Sequence, residues 1–432
     1  MEGVLNASGR VETVSVIMPT FNRGRFLREA IDSVLAQSHA PLEVLVVDDG
    51  STDDTRAICA SYGSAITYLA SENRGKSAAI NLGLNAAAGD FIWVMDDDDI
   101  APAGALAGLL APLLSDASLG FSFGRLRAFR DTARGRRWAP VAAPPEDGRS
   151  LFVRLMEDCF ITGQPCTLIR RDCYRAIGPL DETIVASVDY NILLAVARRF
   201  QGAAIDAVVV LQRQHDGARG PARLRYKSHQ RTHRWRTFDR RIVGELLPTL
   251  SAEEFLGEAP SGRMLSPLEH RRASFQRAAI AGRKELWDAA VAALVAGRQV
   301  AADPTLSALE SEILGQTLGS RYGIDVLLRD RGLQRGLVSA AGAGDTGREI
   351  RLALARPLTY RIRHALLNAD AIRLVLNLSA LVRLCGVRRA ARLTLAAASR
   401  RFARWRARRS VGAQQFAQQT TITTQPGRAR SG

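Results

Sequence analysis

Apolar and polar positions fall into alternating blocks over the first hundred residues. Val14 to Met18 is a β-branched run closed by Pro19 and predicts a strand. Phe26, Leu27, Ala30, Ile31, Val34 and Leu35 then recur at helical spacing, one face of an amphipathic helix. Leu42 to Val47 predicts a second strand, and a helix opens at Asp53-Asp54 and runs through Tyr62. Ile66 to Leu69 predicts a third strand. A helix from Ser77 to Ala88 stops at Gly89-Asp90, and Phe91 to Met95 predicts a fourth strand. Continuously apolar strands alternating with helices predict an α/β fold, a mostly parallel sheet with helices on both faces. Right-handed crossovers put the loops that follow these strands at one sheet edge. The loops at Thr20, Asp49, Asn73 and Asp96 are therefore expected around one crevice.

The pattern is less regular beyond Ile100. Strands are expected at Phe121 to Phe129, Cys166 to Ile169 and Ala203 to Leu211, and helices at Leu151 to Met156 and from Asp189 to Phe200. Arg134 to Gly148, rich in Arg, Pro and Gly, predicts a loop. After Pro221, Arg, Ala and Leu dominate, with helical spacing at Glu285–Val295 and Ser307–Leu318. The expected organisation is a tail (1–13), an α/β domain (14–220), a mainly α-helical basic region (221–410) and a polar, disordered tail (411–432).

Composition changes this picture in one place. With 432 residues and 47% hydrophobic positions there is ample material for a core, but the net charge of +16 is unevenly spread. From Tyr360 to Arg409 a single acid, Asp370, faces 13 arginines, while Leu366, Ile372, Leu374, Val375, Leu378, Leu381 and Val382 supply an apolar side. Basic amphipathic helices lie on anionic membrane surfaces, each basic residue contributing about 1 kcal/mol. The alternative is a helical packing domain with a solvated basic face. No nucleic-acid module is recognisable, and no nucleic-acid partner is expected. No apolar run reaches the roughly 20 residues of a membrane span, and the amino terminus has no signal pattern. A cytoplasmic location follows as the expectation, with the cytoplasmic face of the inner membrane as its peripheral variant. The five cysteines form no C-x-x-C pair, which suits reduced thiols.

Candidate chemistry sits at the predicted strand ends. Four adjacent carboxylates, Asp96 to Asp99, repel one another, and a hard divalent cation taking oxygen ligands would offset that. An acidic turn capping the next helix is the plain alternative. Asp49, in Asp48-Asp49-Gly50-Ser51, is either part of a turn or an acceptor for a nucleobase N–H. In Asn73-Arg74-Gly75, the glycine permits close backbone approach and the arginine offers a fork to phosphate. Asp189 is either a helix cap or a general base. His215, beside Arg213, is either a satisfied histidine or a phosphate or metal contact.

Four stretches together carry a family likeness: VSVIMPTFNR (Val14–Arg23), LEVLVVDDGSTDDT (Leu42–Thr55), ENRGKSAAINLGLNAAAGDFIWVMDDDD (Glu72–Asp99) and VDYNILLAVARRF (Val188–Phe200). In order and spacing they resemble family 2 glycosyltransferases, over roughly Val14 to Gly220. The resemblance implies the GT-A fold and transfer of a single sugar from a nucleotide-diphosphate sugar, UDP-linked above all, to a glycan or lipid-linked acceptor, with inversion, in surface polysaccharide or related glycan synthesis. It implies Mg2+ or Mn2+ as cofactor. Pro19, Thr20, Phe21, Asn22, Asp49, Asn73, Gly75, Lys76, Asp96 and Asp97 would bind the nucleotide. Asp98 and His215 would hold the metal, and Asp189 would be the catalytic base. Two departures stand out: Val188 replaces the Glu that usually precedes the base, and Ile80 replaces an Arg before Asn81. Processive relatives carry Q-x-x-R-W; Gln230 with Arg234-Trp235 is one residue too long. The rival readings are a nucleotidyltransferase on a related scaffold, although Thr20–Gly24 lacks the lysine it would need, and a non-catalytic membrane or nucleic-acid binder.

Overall fold

The computed structural model describes residues 12–141, 149–217, 226, 230–300, 305–319 and 324–395. The expected polar tail at 411–432, and the arginines from Arg400 onward, lie outside the described residues. The chain divides into two compact units, 1–264 and 265–432.

The first unit begins as the apolar blocks predict: β1 (Val14–Thr20), α1 (Gly24–Leu35), β2 (Glu43–Asp48), α2 (Thr55–Ala60), β3 (Thr67–Ala70), α3 (Lys76–Ala86) and β4 (Phe91–Val94). β1 is parallel to both β2 and β4, and β2 to β3, with Thr20 level with Asp48 and Asp48 level with Ala70. Every side chain of β1 and β4 is buried, which explains their unbroken apolar runs. α4 (Ala105–Ser115), β5 (Leu119–Thr132), β6 (Gly135–Trp138), α5 (Leu151–Glu157), β7 (Thr167–Arg170), α6 (Arg171–Ile177), α7 (Val188–Ala197) and β8 (Gln201–Arg213) follow. The strand order is β3-β2-β1-β4-β7-β5-β6, with β8 paired to β5. β7 runs antiparallel to β4 and to β5, so the sheet is mixed on this side. This α/β sheet, followed by a helical carboxyl-terminal unit, is the expected fold class. Trp93 is fully buried on β4, and its indole N–H donates to Pro165 O at 2.9 Å.

Two elements depart from the sequence reading. The stretch expected as a loop from Arg134 contains β6, paired antiparallel to the far end of β5. All four β6 residues are exposed, so no alternation marks it. α6 follows β7 without a break. The first unit also runs past residue 220. α8 (Arg231–Leu246) and α9 (Ala252–Leu256) belong to it, tied in by ion pairs from Arg241 to Asp181 and from Arg198 to Glu254.

The second unit is built from helices: α10 (Pro267–Arg283), α11 (Trp287–Val300), α12 (Ala308–Gln316), α13 (Ile324–Arg329), α14 (Arg331–Ala341), α15 (Gly344–Leu367) and α16 (Ala371–Cys385). α10 and α12 start with capping boxes, Ser266 with Glu269 and Ser307 with Glu310. Arg271 and Glu310, both buried, form a two-bond ion pair between them at 2.6 and 2.8 Å. No helix among the described residues is long and apolar enough to cross a membrane.

Candidate functional site

The carboxyl ends of β1, β2, β3 and β4 lie at one edge of the sheet, and the loops after them interlock. Pro19 and Thr20, both buried, close β1. Asn22, held at φ +52°, accepts from the Thr52 N–H at 2.8 Å and donates its own N–H to Ser51 Oγ at 2.8 Å. Phe21 beside it is part-exposed. After β2, Asp48 accepts from the Ser51 N–H and the Tyr68 hydroxyl.

Asp49 anchors the third loop. Its carboxylate accepts from Asn73 Nδ2 at 3.0 Å, Arg74 N at 2.8 Å and Gly75 N at 2.9 Å. Burial raises its pKa, opposed by those two backbone N–H groups. Asn73, Gly75 and Asp49 thus form one assembly, and the remaining carboxylate lone pairs face any further donor. Gly50 and Gly75 both have positive φ, at +80° and +103°. A Cβ on Gly50 would stand 3.1 Å from Asn73 N, so the approach of the two loops requires glycine there.

The acidic run after β4 is where charge collects. Asp97, Asp98 and Asp99 are buried and Asp96 is half-buried. One oxygen from each of Asp96, Asp98 and Asp99 lies within 4.8 Å of the others, a spacing compatible with a shared cation. Burial, and then the charge of Asp98, push the Asp97 carboxyl up to about 7. This is a donor set of hard oxygens, which suits Mg2+ or Mn2+. His215 Nε2 lies 2.7 Å from Asp98 Oδ2, and its Nδ1 accepts from the Gly217 N–H at 2.9 Å. Nε2 is the ring nitrogen that faces the acidic run. The separation is close to the ~3 Å between neighbouring ligands of an octahedral ion with bonds of about 2.1 Å.

Lys76 forms an ion pair with Asp96 from the first turn of α3. Its charge also reaches Asp189, lowering a carboxyl pKa that burial raises and that Asp96 raises further. Asp189, on the first turn of α7, therefore faces the same charges as the acidic cluster. The segment leading to it is fixed from α3: Ser77 Oγ donates to Ile184 O, and Asn81 exchanges two hydrogen bonds with Leu180. Ser187, just before α7, has φ +57°, a left-handed conformation that costs a non-glycine residue energy.

The predicted site residues therefore line one edge of the sheet. Sequence reasoning undervalued Arg213. Its backbone N–H donates to Asp99 Oδ1 and its Nε to Asp98 O, while its guanidinium pairs with Asp131 and Glu29 between the rings of Phe26 and Phe129. It is buried, and it fixes the backbone of the acidic run. Its only signal in the sequence is a charged residue ending an apolar strand.

A doubly wound α/β half with carboxylates and a lysine gathered at its switch crevice defines a class of nucleotide- and metal-site proteins. Residues 15–178 match the family model Glycosyl transferase family 2. The chain is 46% identical over 90 residues to an uncharacterized glycosyltransferase of Rickettsia prowazekii, covering 21% of this chain and 28% of that protein. It is 38% identical over 93 residues to glycosyltransferase GlyG of Streptococcus pneumoniae, covering 21% and 31%. The match thus spans less than a third of either relative's length. Among solved structures, S. aureus TarS 1-349 in complex with UDP-GlcNAc aligns with TM-score 0.40 and 14% identity, covering 86% of this chain and 91% of that one. Glucosyl-3-phosphoglycerate synthase of Mycobacterium tuberculosis aligns with TM-score 0.36 and 19% identity, covering 59% and 82%.

Proposed function

We propose that this protein transfers a single sugar from a nucleotide-diphosphate sugar to an acceptor hydroxyl, with inversion, in the synthesis of a glycan. The observation that carries this is the gathering of Asp49 after β2 and the Asp96–Asp98–Asp99 cluster after β4 with Lys76 and Asp189, on the first turns of α3 and α7. The family match over residues 15–178 supports the same reading.

In this reading Asp49 and the Asn73–Gly75 loop receive the base, with Pro19, Thr20, Phe21 and Asn22 beside it. Asp96 and Asp97 face the ribose and diphosphate. Asp98 and His215, with Asp96 and Asp99 in reach, would hold Mg2+ or Mn2+. When bound, the cation supplies Lewis-acid neutralisation of the leaving diphosphate. Lys76 is placed to leave Asp96 for a phosphate oxygen, which supplies the cation that Ile80 does not. Asp189, kept basic by its burial, takes the acceptor hydroxyl proton. That oxygen bonds to the anomeric carbon while the bond to the diphosphate breaks on the opposite side. The acceptor would be a glycan or lipid-linked glycan.

Calorimetry of UDP binding with and without Mn2+ tests the site. Wild type should bind UDP in a Mn2+-dependent manner, and Asp98→Ala should lose at least about tenfold, as loss of a charged ligand to metal or phosphate implies. UDP binding indifferent to both Mn2+ and Asp98 would overturn the metal assignment. A screen of nucleotide sugars should then release nucleoside diphosphate; release of pyrophosphate from a nucleoside triphosphate and a sugar phosphate would favour the nucleotidyltransferase.

A further inference from the structure

In the second unit, α15 and α16 form a helical hairpin that, among the described residues, exposes a run of apolar side chains. On α16, Ile372 is 71% and Val375 64% exposed, with Leu378 and Val382 beside them. At 100° per residue these four fall within an arc of about 120°. The adjacent arc carries Asn377, Leu381 and Leu384, which are buried toward α13, α14 and α15. The helix thus has one face satisfied by packing and a second, interrupted by Ser379, that exposes apolar side chains. At the turn, Leu366 and Leu367 extend the same exposure. Exposed contiguous apolar surface of this kind marks an interaction site.

Charge selects the occupant. Arg363, Arg388, Arg389 and Arg392 are exposed near this face in the chain, and none of them makes an ion pair among the described residues. The only acid between Tyr360 and Leu395, Asp370, is used to cap α16, accepting from Arg373 N at 2.9 Å. A second copy docked on this face would bring arginines against arginines. An apolar stripe with exposed arginines close by in the chain complements a surface that is apolar within and anionic outside. We infer that the α15–α16 hairpin docks on an anionic lipid bilayer, Ile372, Val375, Leu378 and Val382 entering the interface and the arginines meeting headgroup phosphates. This holds whatever reaction the first unit performs.

Co-sedimentation of the full chain with vesicles tests it. Wild type should pellet with vesicles containing phosphatidylglycerol and stay in solution with phosphatidylcholine alone. The Val375→Asp/Val382→Asp variant should lose at least tenfold in partitioning, and Arg388→Ala/Arg389→Ala/Arg392→Ala should lose the preference for anionic lipid. These side chains are exposed, so both variants should keep the wild-type melting temperature, and UDP calorimetry on them reads the first unit separately. Wild type left in the supernatant, or equal pelleting by the aspartate variant, overturns the inference. So does a wild-type dimer, seen by light scattering, that the aspartate variant abolishes: the occupant would then be a second copy.

Discussion

Single side chains divide here between those facing the crevice and those that hold others there. Asp189 is of the first kind. Changing it to Asn keeps its shape and removes its basicity, so turnover should fall about 10²- to 10⁴-fold while UDP affinity holds, measured by steady-state kinetics and calorimetry on one preparation. A parallel loss of UDP affinity would show that Asp189 holds the donor. Arg213 is of the second kind. Arg213→Met leaves Asp131 and Glu29 with Arg136 as their remaining cation and releases the acidic run. Because both acids are nearly half exposed, the expected cost is about 2 kcal/mol, below the range for a fully buried pair. Chemical denaturation reads that cost, and weaker Mn2+-dependent UDP binding should accompany it. These two roles differ in legibility. Asp189 stands in a quotable motif, whereas Arg213 acquires its importance from Glu29 and Asp131, far off in the chain.

Among the elements, α3 is the one on which the crevice turns. Its first turn carries Lys76, its middle carries Asn81, and it packs on β1 and β2. The contact with β1 is close because Gly83 has no side chain: a Cβ there would stand 2.5 Å from Ile17 Cγ2. Gly83→Ala should therefore destabilise the first unit by about 1–3 kcal/mol, visible as a lowered denaturation midpoint. It should also weaken UDP binding, since any shift of α3 moves Lys76. An unchanged midpoint would mean that Ile17 repacks freely. Apolar pattern located α1 and the strands β1, β2 and β4, because their apolar side chains are buried. β6 had no such mark, being exposed on every residue and held by its pairing to β5.

For the molecule as a whole, the two units rest on different physics. The first is organised by a sheet whose strand ends collect charge; the second is a set of helices with the buried ion pair Arg271–Glu310 inside it. Burial alone would raise the Glu310 pKa, but the Arg271 and Ser307 hydrogen bonds outweigh it and hold it below its ordinary 4.5. A carboxyl pKa lowered by folding stabilises the native state above the unfolded value. That contribution is lost as pH falls from 4.5 toward the folded value. Glu310→Gln should cost about 3–5 kcal/mol at neutral pH, since it strands Arg271. It should also flatten the acid dependence of unfolding below 4.5, followed by circular dichroism. An acid limb as steep as wild type's would mean that other carboxylates govern it.

By itself, the order of apolar runs and helical spacings determined the β-α-β-α-β-α-β start, and with it the edge at which Thr20, Asp49, Asn73 and Asp96 meet. That much is local, since period and handedness follow from backbone geometry. Only the tertiary structure decided which acids of the 96–99 run share a ligand-sized space, that Asp49 is bound to the 73–75 loop, and that Arg213 braces the run. Those outcomes depend on contacts between residues far apart in the chain, whose burial and charge no single stretch contains.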